Sequence, residues 1–233
     1  MLICLTLKWK CVRIHRVLNL CKLIGGKLMK NDMSIIIKNF LCFFLKCLLP
    51  VLVVGLIYFD IKTFGDIREK SLVELGQSVF LFATSVIFMY LANKRKANGL
   101  WLVAGFFVCM LIREQDAYFD DIFHGSWAYF ALASIVFFVW KALKQGKEQA
   151  VKTLAEYMQS PPFTTMSFGV MIILFFSRAM GMGKLWKLVM GERFIRVVKN
   201  VVEEGTELFG YSIVFLAAVE FASYLLNKGD SQN

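Results

Sequence analysis

Proline, histidine and paired cysteines are scarce in this 233-residue chain, which contains 3 Pro, 2 His and 6 Cys. The cysteines form no C-x-x-C pair, so we expect neither a disulfide scaffold nor a zinc site built on cysteine. Two histidines are too few for a multi-histidine zinc hydrolase. The sequence also lacks the H-E-x-x-H, G-x-S-x-G and P-loop motifs. It therefore offers no familiar catalytic motif and does not reveal a biochemical activity.

Acidic residues are also few, because 17 Asp and Glu stand against 27 Lys and Arg and the net charge is +10. Only 19% of the residues are charged and 58% are hydrophobic, including 23 Phe. A typical soluble domain is about 45–50% apolar and about 25% charged. A disordered chain is excluded by the hydrophobicity. A nucleic-acid-binding protein fits the charge but not the apolar content, so we expect a multi-pass membrane protein surrounded by the lipid bilayer, with no nucleic-acid partner.

Six apolar stretches are candidates for crossing the bilayer, whose core of about 30 Å requires about 20 mostly apolar residues. We expect them to be helices, because unpaired backbone groups are too costly in lipid. The predicted fold class is an all-α integral membrane protein with six transmembrane helices. The predicted spans are 40–59, 72–92, 100–112, 122–141, 163–180 and 205–226.

The third span is too short to cross the bilayer unaided. A crossing helix would have to extend from about Lys96 to about Asp116, which would bring Arg113 and Glu114 to the membrane boundary. One interpretation is that Arg113 extends to the headgroups. The other is a polar pocket between helices, because ionisable groups at membrane depth are typical of functional sites.

Six spans place both termini on one side, which we call the terminal side; the other is the opposite side. Sixteen basic residues fall on the terminal side and ten on the opposite side. The positive-inside rule therefore predicts that both termini are cytoplasmic. The compact design with short loops is typical of a bacterial inner-membrane protein.

The first 32 residues form a basic amino-terminal tail, and residues 33–233 form a single transmembrane domain in this prediction. The tail carries seven basic residues and one acid, Asp32. It lacks the pattern of a signal peptide. One interpretation is a basic arm that contacts anionic lipid. The other is that Met33, and not Met1, is the natural start.

Twelve of the seventeen acids fall on the opposite side, and the first concentration follows the third span. Its candidate pocket residues are Arg113, Glu114, Asp116, Asp120, Asp121 and His124. In a continuous helix Arg113, Asp116 and Asp120 share one face. Carboxylates beside an imidazole are typical divalent-metal ligands, so Asp116, Asp120 and His124 form a candidate metal site. The alternative is a solvated acidic loop in which Arg113 pairs with Asp116 or Glu114.

The second concentration precedes the last span. Its candidate pocket residues are Arg178, Arg193, Arg196, Asn200, Glu203, Glu204 and Glu207. Helical spacing puts Arg196, Asn200, Glu203 and Glu207 on one face. Carboxylates in a first turn also stabilise a helix dipole, which is the alternative. Residues 184–202 alternate apolar and basic positions at helical spacing, which predicts an amphipathic interfacial helix before the last span.

These observations predict a polar pocket on the non-cytoplasmic side that binds or passes a solute, a lipid or a partner. One alternative function is a divalent-metal-dependent enzyme acting on a lipid headgroup or a lipid-linked phosphate. Another is a structural subunit of a membrane complex. The candidate cofactor is a divalent metal, and the candidate partners are an anionic lipid or another membrane protein.

Overall fold

The computed structural model describes residues 2–66, 71–121 and 123–230, and the described residues contain helices but no strands. The all-helical prediction is therefore confirmed for these residues. The helices are α1 (Leu2–Phe64), α2 (Leu72–Lys94), α3 (Leu100–Glu114), α4 (Asp116–Asp120), α5 (Trp127–Leu143), α6 (Lys147–Met158), α7 (Pro161–Met171), α8 (Ser177–Met180), α9 (Gly183–Met190) and α10 (Arg196–Asp230). A π-helical turn, Ile172–Phe176, joins α7 to α8, and a 3₁₀ turn, Gly191–Arg193, follows α9.

Four segments of the described residues are long and apolar enough to cross a membrane: Asp32–Phe64, Leu72–Lys94, Pro161–Met180 and Arg196–Leu226. The pair α5 and α6, bent by 101°, provides a fifth if it is one broken span. Ile122, where the fourth span is predicted to begin, lies outside the described residues. The protein is thus of the multi-pass membrane type, and the count of six spans stays a prediction.

The third span is shorter than a crossing helix requires. Helix α3 does not reach from Lys96 to Asp116, because it begins at Leu100 and Gln115 breaks it from α4. Its 15 residues extend about 22 Å at 1.5 Å per residue, which is less than the bilayer core. The break also removes the continuous helical face that was expected to carry Arg113, Asp116 and Asp120.

The predicted interfacial helix over residues 184–202 is divided in the structure. Helix α9 ends at Met190, Gly191 adopts a φ of +58°, and the remaining residues belong to α10 from Arg196 onward. The positive φ favours glycine and turns the chain between the two helices. Leu188 on α9 is 86% exposed, so this short helix presents apolar surface. Its location at the membrane interface stays a prediction.

The chain divides into two units, residues 1–49 and 50–233. In the first unit, the apolar side chains described between residues 32 and 49 are exposed almost throughout, as in Phe40, Leu41 and Phe44. This distribution is typical of a helix that contacts lipid. Met33 lies inside α1, and the predicted boundary between residues 32 and 33 stays a prediction.

The core of the second unit is built around α2 and α10, which pack against each other. Helix α3 packs against α2 and α5, and α7 packs against α10. Phe88 on α2 lies at the centre, with ring centroids 5.9 Å from Phe107 and 5.8 Å from Phe221. Gly169 and Gly210 let α7 and α10 approach closely, because a Cβ at either position would overlap the facing helix.

The amino-terminal end of α2 is held by the last turns of α1. Asp60 is 0% exposed, and its carboxylate accepts hydrogen bonds from the backbone N–H groups of Leu72 at 3.1 Å and Val73 at 2.9 Å. Ser71 adds a cap by accepting from the Glu74 N–H at 3.2 Å. Asp60 thus satisfies free N–H groups of a helix terminus and complements the helix dipole, a role that its position in the sequence does not reveal.

Candidate functional site

The π-helical turn places two polar side chains at the end of the α7–α8 segment. The Ser177 hydroxyl donates to the Ile173 carbonyl at 2.5 Å and lies 3.1 Å from Glu207 Oε1. Arg178 follows directly and extends toward α10. Because π-helical turns often occur at functional sites, this local change of helical geometry is an independent sign that the segment is specialised.

Glu207 is the most deeply buried acid of the site, with 2% exposure. Its Oε1 atom lies 3.0 Å from Arg178 Nη2 and 3.1 Å from Ser177 Oγ. Helix α10 has already made three turns before it reaches Glu207. A carboxylate at this depth is not explained by the helix dipole, which acts mainly on the first turn.

Glu203, one turn before Glu207, binds two cations. Its Oε1 atom lies 3.7 Å from Arg178 Nη1, and its Oε2 atom lies 2.7 Å from Lys199 Nζ. Gly181 makes room for this carboxylate, because a Cβ at that position would overlap it. Arg178 therefore bridges two carboxylates of α10 from the facing segment.

Two further glutamates complete the site: Glu204 contacts α2, and Glu114, which lies on α3, contacts α10. Gln77 is 1% exposed and donates from Nε2 to Glu204 Oε2 at 3.1 Å. The Tyr211 hydroxyl donates to Glu114 Oε1 at 2.8 Å, and Arg113 Nη1 lies 3.5 Å from the same oxygen.

We call Glu114, Glu203, Glu204 and Glu207 the glutamate cluster. Glu114 and Glu204 repel the carboxylate of Glu207, while Arg178 attracts it. The nearby cations are Arg113, Arg178 and Lys199. Four carboxyl groups therefore face three cations, and their interactions strengthen as water is excluded.

The structure brings together six of the sequence-predicted pocket residues: Arg113, Glu114, Arg178, Glu203, Glu204 and Glu207. Arg193 and Arg196 are exposed near the start of α10, and Asn200 is half-buried. No ion pair or hydrogen bond described for these three residues ties them to the cluster.

The residues predicted as metal ligands, Asp116, Asp120 and His124, are not arranged as a metal site in the described part of the chain. Asp120 Oδ2 lies 3.2 Å from His124 Nδ1, and Asp120 Oδ1 accepts from the Gly125 N–H at 2.8 Å. The His124 side chain is 99% exposed, and Asp116 and Asp121 are exposed as well. Within the described ranges, no group of three His, Cys, Asp or Glu residues is arranged to hold a metal ion. The described contacts of Asp120 therefore fix the turn before α5.

Helical spacing also pairs Lys199 with Glu203, and the structure confirms this pair. Sequence reasoning missed three residues of the site: Gln77, Ser177 and Tyr211. Gln77 and Ser177 are polar residues within predicted apolar spans. Their position in a span is the signal that could have identified them, because a polar group inside a membrane span needs a partner there. Tyr211 carries no such signal, since tyrosine is common within apolar segments near the interface.

No protein-family model, curated protein or solved structure matches this chain. Its function is inferred from the contacts of its own residues.

Proposed function

We propose that this protein binds a small positively charged solute at the glutamate cluster and passes it across the membrane. In this proposal six helices cross the bilayer, namely α1, α2, α3, α5, the α7–α8 segment and α10. Helix α9 lies in the interface. Both termini are cytoplasmic, and the cluster lies toward the opposite side of a bacterial inner membrane.

The observation that carries the proposal is the buried carboxylate of Glu207, held by Arg178 and Ser177 inside a candidate span. Ionisable groups at membrane depth are costly, and they typically mark ion pathways, substrate pathways or proton relays. Arg178 is well placed to act as an exchangeable counter-ion, because 43% of its side chain is exposed whereas only 3% of the Glu207 side chain is. A solute cation that replaced Arg178 would contact a carboxylate that is already held in position.

The sign of the charge favours a cation over a phosphate. The carboxylates exceed the nearby cations in number, and Arg178 is engaged by two of those carboxylates. A phosphate arriving at Arg178 would have to displace Glu203 and Glu207 and would then face their repulsion. Recognition of a lipid phosphate at this position is thus disfavoured by electrostatics.

The test is thermal unfolding of the detergent-purified protein with sodium, potassium or methylammonium chloride, at an ionic strength held constant with N-methylglucamine chloride. A cation that binds only the folded protein raises its stability by about 2.7 kcal/mol at a hundredfold excess over the dissociation constant. We expect a cation-specific rise in Tm for the wild-type protein that is absent in Glu207→Gln.

Asp121→Asn is the matched control, because it removes one acid from an exposed position and should respond like the wild type. Glu204→Gln provides a second variant if Glu207→Gln does not fold, since Glu204 contacts Gln77 and not Arg178 in the ion pairs described. Equal responses of the wild type and both glutamine variants to every cation would refute the proposal.

A further inference from the structure

A cavity of about 430 Å³ opens at the end of α2 distant from the glutamate cluster. This volume lies in the range of small-molecule sites, which is roughly 300–1,000 Å³. The α2–α3 turn, α6 and the last turns of α10 form its walls. Its principal lining residues are Arg95, Lys96, Glu156, Tyr157, Phe221 and Tyr224. We call it the basic cavity.

The walls of the basic cavity are fixed by direct contacts. The Gly99 N–H donates to Thr153 Oγ1 at 2.7 Å, which ties the α2–α3 turn to α6. A Cβ at Gly99 would come within 2.6 Å of Leu154 N, so this approach requires glycine. Arg95 Nη2 donates to the Leu225 carbonyl at 2.9 Å and ties the same turn to α10.

Lys96 stands out on this wall because its φ is +52°, and it is the one non-glycine residue with a positive φ among those described. The left-handed conformation is unfavourable for lysine, and at this position it ends α2, with the Ala97 N–H donating to the Ala92 carbonyl at 3.1 Å. Here it places a lysine beside Arg95 at the rim of the cavity. A glycine or an asparagine would adopt this conformation at lower cost.

The chemistry of the lining combines two neighbouring cations with an apolar and aromatic floor. Arg95 and Lys96 outnumber the single carboxylate of Glu156. The floor contains Leu100 and Phe221. The hydroxyl of Tyr157, a wall residue, is buried and has no hydrogen-bond partner among the described residues. Such a site favours an anionic group attached to an apolar body.

We propose that the basic cavity binds a phosphate group, with Arg95 and Lys96 contacting its oxygens. Arginine and lysine together are typical phosphate ligands, and basic pockets between membrane helices bind lipid headgroups. The phosphate comes either from a phospholipid, whose chain would contact the apolar floor, or from a soluble compound. This site is separate from the glutamate cluster and opposite to it in charge.

The test measures the Tm of the full-length protein in neutral detergent as a function of added dioctanoyl phosphatidylglycerol, dioctanoylglycerol or inorganic phosphate. The variant is Lys96→Asn, which removes the charge and tolerates the left-handed backbone. Its matched control is Lys152→Gln, which removes one charge from an exposed position on α6. Retained or increased Tm of Lys96→Asn without ligand separates loss of binding from loss of folding.

We expect phosphatidylglycerol to raise the Tm of the wild type and of Lys152→Gln. Its apparent affinity for Lys96→Asn should fall by about tenfold, as expected for the loss of one charged contact. Inertness of inorganic phosphate would assign the site to a phospholipid, and phosphate binding of similar strength would assign it to a soluble compound. Stabilisation by dioctanoylglycerol equal to that by phosphatidylglycerol, or equal losses in both variants, would overturn the proposal.

Discussion

At the scale of single residues, the ion pairs of the glutamate cluster contribute little to the stability of the fold. A buried ion pair such as Arg178 and Glu207 gains little net stability, because desolvation offsets the attraction between its members. Well-packed apolar residues at these positions would serve the fold as well. The burial of Glu207 in a candidate span is therefore the reason why we propose a bound cation at this cluster.

Gly181 offers a direct test of how the cluster is packed. Its φ of −73° is open to any residue, so the constraint is space alone. In Gly181→Ala the new methyl group overlaps the Glu203 carboxylate and should push it away from Arg178 and Lys199. We expect a loss of about 1–3 kcal/mol in the free energy of unfolding, the usual cost of overpacking. Denaturant titration in detergent measures it.

Gly183→Ala is the matched control, because nothing lies within 4 Å of the position of its Cβ. It begins α9, where alanine should be neutral or slightly stabilising. If the two variants proved equally stable, the close approach of Gly181 and Glu203 would be contradicted.

At the scale of secondary-structure elements, α2 depends on the buried carboxylate that caps it. The Asp60 carboxylate accepts hydrogen bonds from two backbone N–H groups, one on each oxygen. An asparagine side chain has only one oxygen to accept them. We expect Asp60→Asn to lower the free energy of unfolding by about 2 kcal/mol, because one buried donor loses its partner and the helix dipole loses its counter-charge. Asp121→Asn is the control at an exposed carboxylate. Similar unfolding curves for the two variants would argue against the cap.

Element positions were predictable wherever the apolar run was long. The predicted spans 72–92 and 163–180 agree closely with Leu72–Lys94 and Pro161–Met180, because run length alone identifies such helices. The run 100–112 also agrees with α3, Leu100–Glu114, but the extension to about Lys96 and Asp116 was wrong. The helix ends are fixed by contacts with other elements: Gly99 with Thr153 and Gln115 with Ser78. The division of the predicted interfacial helix depends on the backbone conformation of Gly191, which helical periodicity does not reveal.

At the scale of the whole molecule, the composition predicted the protein class, but not which acids meet. Glu114 and Glu207 are 93 residues apart in number and act on each other only because α3 and α10 both pack against α2. Asp120 and His124, which looked equally promising, interact within their own turn. Tertiary packing determines which acidic residues come together, and no local sequence pattern encodes it.

Whether α3 crosses the membrane determines the topology of everything that follows it. If α3 crosses, the turn after α2 and the turn before α5 lie on opposite faces of the bilayer; if it does not, they share a face.

In a cysteine-free background, Lys94→Cys and Asp121→Cys report on these two turns, and both positions are exposed. Six crossings predict that a membrane-impermeant maleimide labels each variant from a different face of inside-out and right-side-out vesicles. Labelling of both from the same face would contradict six crossings and would place Glu114 at the end of a re-entrant helix. If six crossings are found, the bilayer must thin around α3, since the 15 residues of this helix fall short of the bilayer thickness.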